Sequence, residues 1–197
     1  MKTAISNRQA EIIATSGRIL MEKGIKGLTT KCLADEMNFS ESAIYRHFKN
    51  KDDIIILLLQ DLASSTESRL NKIISQKKSA AENIQAIFKS QFSFFKKNPH
   101  YVIAILSESL MDGSEEIKNE LFNIMQYILK ILSHEIERGK KEGLFIKEIQ
   151  TTELVHIIIG SFRLCMFKWK LSDFKIDIEK EGDKIINSIL LLLKNKK

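Results

Sequence analysis

Proline is nearly absent from this 197-residue chain: Pro99 stands alone, with only eight glycines beside it. So few helix breakers leave long stretches free to be helical, and apolar residues recur at spacings of three and four almost throughout. No segment keeps the alternation of a half-buried strand, so the chain reads as all-α. Cysteine is scarce as well. Cys32 and Cys165 lie far apart with no Cys-x-x-Cys or Cys/His spacing, and both are expected to be free thiols. His134, Glu135 and His156 make no convincing metal set, so neither a metal nor a cofactor is expected. The apolar-rich stretches 54–59, 155–159 and 189–193 are far short of the roughly 20 residues that cross a bilayer. No apolar leader opens the chain, which points to a cytoplasmic protein without a membrane partner.

Enzyme signatures are missing too. There is no HExxH, P-loop, GxGxxG fingerprint or GxSxG elbow. The paired acids Glu115 and Glu116 open a helix, where the positive end of the helix dipole accounts for them. No enzymatic activity is expected. The composition present is that of a globular chain, 44% hydrophobic and 28% charged, long enough to bury a real core. Its formal charge is +6, and the first 50 residues, with eight Lys/Arg against five Asp/Glu, carry half of that excess. Such a balance is consistent with a polyanion partner.

The most specific stretch is 28–53, LTTKCLADEMNFSESAIYRHFKNKDD. Thr29 can cap a first helix over about 30–37, in which Leu33, Ala34 and Met37 recur on one face. Asn38 tolerates the left-handed conformation of a helix stop. Phe39 is apolar in a polar turn and is expected to pack inward. Ser40 caps a second helix whose inward positions are Ile44 and Phe48. Glu41, Ser42, Ala43, Tyr45, Arg46 and His47 are left facing outward or flanking. Asn50 with Asp53 then forms an Asx-type capping box that opens a long helix.

This pattern resembles the DNA-binding domain of the TetR family of transcriptional regulators. The resemblance rests on Gly24, Thr29, Leu33-Ala34, Phe39-Ser40, Ile44-Tyr45, His47-Phe48 and Lys51, and it covers about the first 55 residues. Three positions depart from the family pattern. Asn38 replaces the turn glycine, Ser42 replaces a second common glycine, and Cys32 stands where an acid often completes a capping box with Thr29. The last change predicts a helix start weaker by a few tenths to about 1 kcal/mol. The resemblance implies a double-stranded DNA partner, a palindromic operator read by a homodimer with half-sites about 34–36 Å apart. Ser40, Glu41, Ser42 and Ala43 lie at the recognition-helix N-terminus. There Ser42 can bond several bases, Ala43 can meet a thymine methyl, and Glu41 either accepts from cytosine or serves the helix dipole. Tyr45, His47 and Lys51 are assigned to phosphates, Arg46 to guanine or phosphate, and Thr29 and Thr30 to the backbone.

The expected organisation is a three-helix unit over 1–50 and a helical bundle over 51–197, about nine helices in all. The first helix covers 7–23, with Ile12, Ile13, Ser16, Ile19 and Leu20 inward and Gly24 ending it. A connector helix over about 51–75 leads into helices near 80–97, 98–111, 115–142, 152–171 and 177–193. In the family the last two pair with their counterparts in a second subunit. On that basis Ile157, Ser161, Leu164, Lys168, Ile185, Ile189 and Leu192 are the candidate dimer interface. The family also implies a small-molecule effector held in the bundle, whose binding shifts the connector and releases DNA. Phe88, Phe92, Phe95, Tyr101, Ile105, Phe122, Met125, Phe162, Met166 and Trp169 are the candidate lining, and their chemistry favours an apolar ligand. The protein is thus expected to be a repressor with an apolar effector. The alternative is a helix-turn-helix regulator controlled by a protein partner with no small-molecule effector; an enclosed cavity favours the first, a solid core the second.

Overall fold

The computed structural model describes residues 6–195, and among them are ten helices and no strand. They are α1 (Asn7–Gly27), α2 (Thr30–Met37), α3 (Glu41–Tyr45), α4 (Lys51–Ile73), α5 (Ala80–Lys97), α6 (His100–Ile105), α7 (Glu108–Met111), α8 (Glu115–Lys141), α9 (Thr151–Leu171) and α10 (Ile178–Leu193). One helix expected over 98–111 is two, because the backbone at Ser107 is extended (φ −85°, ψ 118°). The Ser107 and Ser109 hydroxyls pair at 2.8 Å, a local bond of the kind that competes with helix continuation.

Packing groups residues 6–65 with Asn98–Asn123, and Thr66–Lys97 with residues 124–195. Within the first of these units α6 lies against α1. In the first unit Ser6 and Gln9 cap α1 reciprocally, and Ile12, Ile13, Ser16, Ile19 and Leu20 are buried along it. Gly24 takes φ 63° and kinks the chain before a last turn to Gly27. Without a side chain it enters this region at little cost.

The His100 ring seats on Gly17, where a Cβ would lie 3.1 Å from it, and the Tyr101 hydroxyl donates to Asp61. Burial holds the His100 imidazole below its ordinary value, against the opposing pull of Asp61. The unfolded chain therefore takes up this proton first as pH falls. Stability is expected to decline from about pH 6.5 downward, and His100→Gln to flatten that part of the profile, as read by urea unfolding across pH.

In the second unit Phe88, Phe92 and Phe95 of α5 surround Phe162 of α9, with ring centroids 5.5, 5.2 and 6.3 Å from it. Gly182 lets α10 close on α5, because a Cβ there would fall 2.3 Å from the Phe92 ring. Gly182→Ala sets about 1–3 kcal/mol of overpacking against about 1 kcal/mol of helix propensity. A net loss of up to about 2 kcal/mol is expected in denaturant melts, and a stabilised variant would refute the close fit.

A polar cluster closes the loop between α4 and α5. Asn83 receives the Ser75 N–H at 3.2 Å and returns a bond to the Ser75 carbonyl at 3.1 Å. It also donates to the buried Glu135 carboxylate at 3.1 Å. Arg138 stands 2.7 Å from the same carboxylate and 3.4 Å from Glu142. The Nε–H and Nη2–H bonds of Arg138 are not directed along hydrogen bonds, so its attraction to these acids is coulombic. Just past the same end of α8, Gly143 turns the chain with φ 72°, and Ile146 N–H bonds the Leu193 carbonyl at 2.9 Å.

Candidate nucleic-acid interface

Local bonds set the angle of α2 and α3. Thr29 Oγ1 accepts from Cys32 N at 3.0 Å, and Asn38 takes the left-handed conformation (φ 54°, ψ 41°) in which its N–H meets the Ala34 and Asp35 carbonyls. Ser40 Oγ accepts from Ala43 N at 3.2 Å and opens α3. Phe39 is half-buried rather than fully inward, and the Arg8 guanidinium covers its ring at 4.4 Å. Lys23 ties α1 to α2 by pairing with Glu36 at 3.1 Å and Cys32 Sγ at 3.3 Å. Leu33, Ala34, Ile44 and Phe48 are buried beneath.

α3 is shorter than the pattern suggests. It ends at Tyr45, and the N–H groups of His47 and Phe48 both reach the Ile44 carbonyl at 2.9 Å in a tight final turn. Burial of Phe48 and the immediate start of α4 draw the backbone in. Glu41, Ser42, Arg46 and His47 are exposed, and Ala43 is half-buried. The Ser42 hydroxyl pairs with Ser40 at 2.9 Å, which leaves it further hydrogen-bonding capacity for a base. Tyr45 is 50% exposed, and its hydroxyl accepts from Thr30 Oγ1 at 3.2 Å, linking two groups assigned to the DNA backbone.

Lys51 is occupied more than its sequence context suggests. Its ammonium donates to the Ile25 carbonyl at the kink of α1, and burial holds its pKa below the usual lysine value. Two N–H groups stay available for a phosphate. Lys51→Ala is expected to weaken all DNA sequences alike and reduce the salt slope of binding by about one. An unchanged slope assigns Lys51 to holding Ile25 alone. At the next helix start Asn50 accepts from Asp53 N at 3.2 Å, but the Asp53 carboxylate returns to Lys49 N at 2.6 Å rather than to Asn50.

The candidate dimer residues divide. Ile157, Leu164 and Leu192 are 53%, 59% and 74% exposed. Ile189 instead belongs to the core, because α10 turns Ile178, Gly182, Ile186, Ile189 and Leu193 inward. Ser161, Leu164, Lys168 and Ile185 line an open groove of about 540 Å³ together with Cys165, Trp169, Ile176, Ile178 and Glu181. Ile178 and Glu181 share the α10 face of Ile185, whereas Ile176 belongs to neither helix and is brought there by the turn after α9, through left-handed Asp173 and Phe174.

The candidate effector lining divides too. Tyr101, Ile105 and Phe122 belong to the first unit and the other seven residues to the second. Phe122 and Met125 leave the set expected to enclose a ligand, because they stand on the outer side of α8, 54% and 46% exposed. Phe88, Phe92, Phe95, Met166 and Trp169 are buried, with Phe162 half-buried among the rings. No group of three His, Cys, Asp or Glu among the described residues is placed to hold a metal ion.

A capped pair of short helices, with polar side chains outward and apolar ones beneath, defines a helix-turn-helix DNA-binding protein. Residues 12–58 match the family model for bacterial regulatory proteins of the tetR family, and residues 61–193 that for the C-terminal region of YsiA-like proteins. The chain belongs to the tetR family and is a DNA-binding transcriptional regulator. It is similar to the nucleoid occlusion factor SlmA of Aliivibrio fischeri (strain MJ11), 30% identical over 174 residues, covering 86% of this chain and 87% of that one. Among solved structures, the fatty acid degradation regulator FadR from Bacillus halodurans superposes with a TM-score of 0.84 at 18% identity, over 95% of this chain and 97% of that one. FadR from Bacillus subtilis, in complex with stearoyl-CoA, gives 0.80 at 21% identity, over 94% and 98%. No described helix is long and apolar enough to cross a membrane.

Proposed function

We propose that the protein is a homodimeric cytoplasmic repressor, bound to a palindromic operator and released from it by a small, largely apolar effector. The observation that carries the DNA half is the outward set Ser42, Arg46 and His47 above a buried Ile44 and Phe48. One such unit reads only a few base pairs, and the exposed Ile157, Leu164 and Leu192 offer a face on which two copies can pair. The effector half draws on likeness to a regulator whose structure holds stearoyl-CoA. An effector acts only through a preference for the DNA-incompetent state.

Selection of bound sites from randomised duplex DNA tests the first half. Inverted repeats are expected, and failure to enrich any sequence would sink it. Adding stearoyl-CoA to the selected complex tests the second, with loss of DNA affinity expected.

A second reading has support of its own. The Phe88, Phe92, Phe95 and Phe162 rings pack on one another, as a solid core requires, and the relatives of similar sequence are named for nucleoid occlusion. Under it the protein binds many chromosomal sites and answers to a protein partner. Mapping occupied sites in cells separates the two: clusters at promoters favour the repressor, and sites spread along the chromosome favour the partner-controlled protein.

A further inference from the structure

The second unit holds a cation that its surroundings do not neutralise. Arg69 projects from α4 toward α5 with its guanidinium half-buried. Nη1 donates to the Ser90 carbonyl at 3.2 Å and the Ser90 hydroxyl at 3.0 Å, and Nη2 to Thr66 Oγ1 at 3.2 Å. The Phe94 ring lies beneath, 4.0 Å from Cζ. Every one of these partners is neutral. The Nε–H is shielded from solvent and has no hydrogen-bond partner among the described residues. Burial alone holds the guanidinium below its ordinary pKa, with no carboxylate opposing the shift.

The contrast with Arg138 is direct. That guanidinium, also in the second unit, has carboxylates at 2.7 and 3.4 Å. Desolvating a cation is costly, and proteins generally offset the cost with an opposite charge. At Arg69 the neutral bonds and the ring fix the plane of the fork without supplying that charge. Helical spacing adds more positive charge nearby. Lys72 follows Arg69 by one turn on α4, and Lys97 follows Phe94 by one turn on α5, both exposed. Of the five Arg69 N–H bonds, Nε–H and one on Nη2 remain for the oxygens of an incoming anion, and Phe94 offers an apolar wall to whatever carries that anion.

We propose that Arg69, framed by Thr66, Ser90 and Phe94, is a binding site for the oxyanion of a small ligand, either a carboxylate or a phosphate. The site goes beyond the repressor reading and stands whether or not its occupancy alters DNA affinity.

The arginine Nε–H signals of the ¹⁵N-labelled full chain provide the test, with the Arg69 signal assigned by its loss in Arg69→Lys. Sodium phosphate and sodium octanoate are titrated separately at constant ionic strength against sodium chloride. A saturable shift of the Arg69 signal is expected with at least one oxyanion and none with chloride. A response to phosphate alone assigns a phosphorylated ligand, to octanoate alone a carboxylate, and to both an oxyanion site without that preference. Arg69→Gln is expected to weaken the binding about tenfold or more and to remove the rise in Tm that the oxyanion produces. If the Arg69 signal ignores both oxyanions, or follows chloride equally, the site is overturned and Arg69 is a clamp between two helices. The titration of the unsubstituted protein decides this even where Arg69→Gln folds poorly.

Discussion

Glu135→Ala lowers the unfolding free energy by about 3–5 kcal/mol, the range for removing one partner of a buried ion pair. The carboxylate is 1% exposed, and its loss leaves Arg138 and the Asn83 amide facing a cavity. Asn83 also holds both polar groups of the Ser75 peptide, so the turn from α4 into α5 loosens with it. Glu135→Gln keeps the volume and one acceptor while removing the charge, and a smaller loss is expected. Urea unfolding at neutral pH measures both. A loss below about 1 kcal/mol for the alanine variant would show that Glu142 alone compensates Arg138.

Aspartate at both Leu164 and Leu192 is the second large change, and under the proposed homodimer it acts between copies rather than within one. Neither side chain is needed for the protomer's core, since they are 59% and 74% exposed. The helical circular dichroism signal is therefore expected to persist. Four added charges on a paired face strongly oppose association, because charges desolvated without partners cost several kcal/mol. Sedimentation is expected to show monomers. Operator affinity is expected to fall by about 10³-fold or more, toward the non-specific level. A double variant that remains dimeric and bound to its operator would place the interface elsewhere.

The two changes differ in how legible their residues are in sequence. Leu164 and Leu192 stand on helix stripes that periodicity marks. Glu135 looks like one more acid on a long charged helix, and nothing local shows that it is buried opposite Asn83, 52 positions away. The same holds for Phe122 and Met125, whose apolar chemistry suggests a lining although α8 turns them outward. Periodicity tells which residues share a face, but for a helix with apolar residues on several sides it does not tell which face meets a neighbour. A difference of three positions puts Ile189 in the core and leaves Leu192 outside.

Near the DNA-binding helices the reading is sharper because its causes are short-range. Thr29, Asn38 and Ser40 cap or stop their helices through bonds to residues within four positions, so the sequence carries the geometry in itself. By itself it determined an all-helical chain, the place of the helix-turn-helix and the polar side chains that its second helix turns outward. Only the tertiary structure decided that Lys51 is committed to Ile25, that the phenylalanines of α5 close on Phe162, and that Arg69 is half-buried among neutral partners. Each depends on groups 21 to 74 positions apart meeting in space, and long-range packing sets burial and charge compensation where local propensity has no reach.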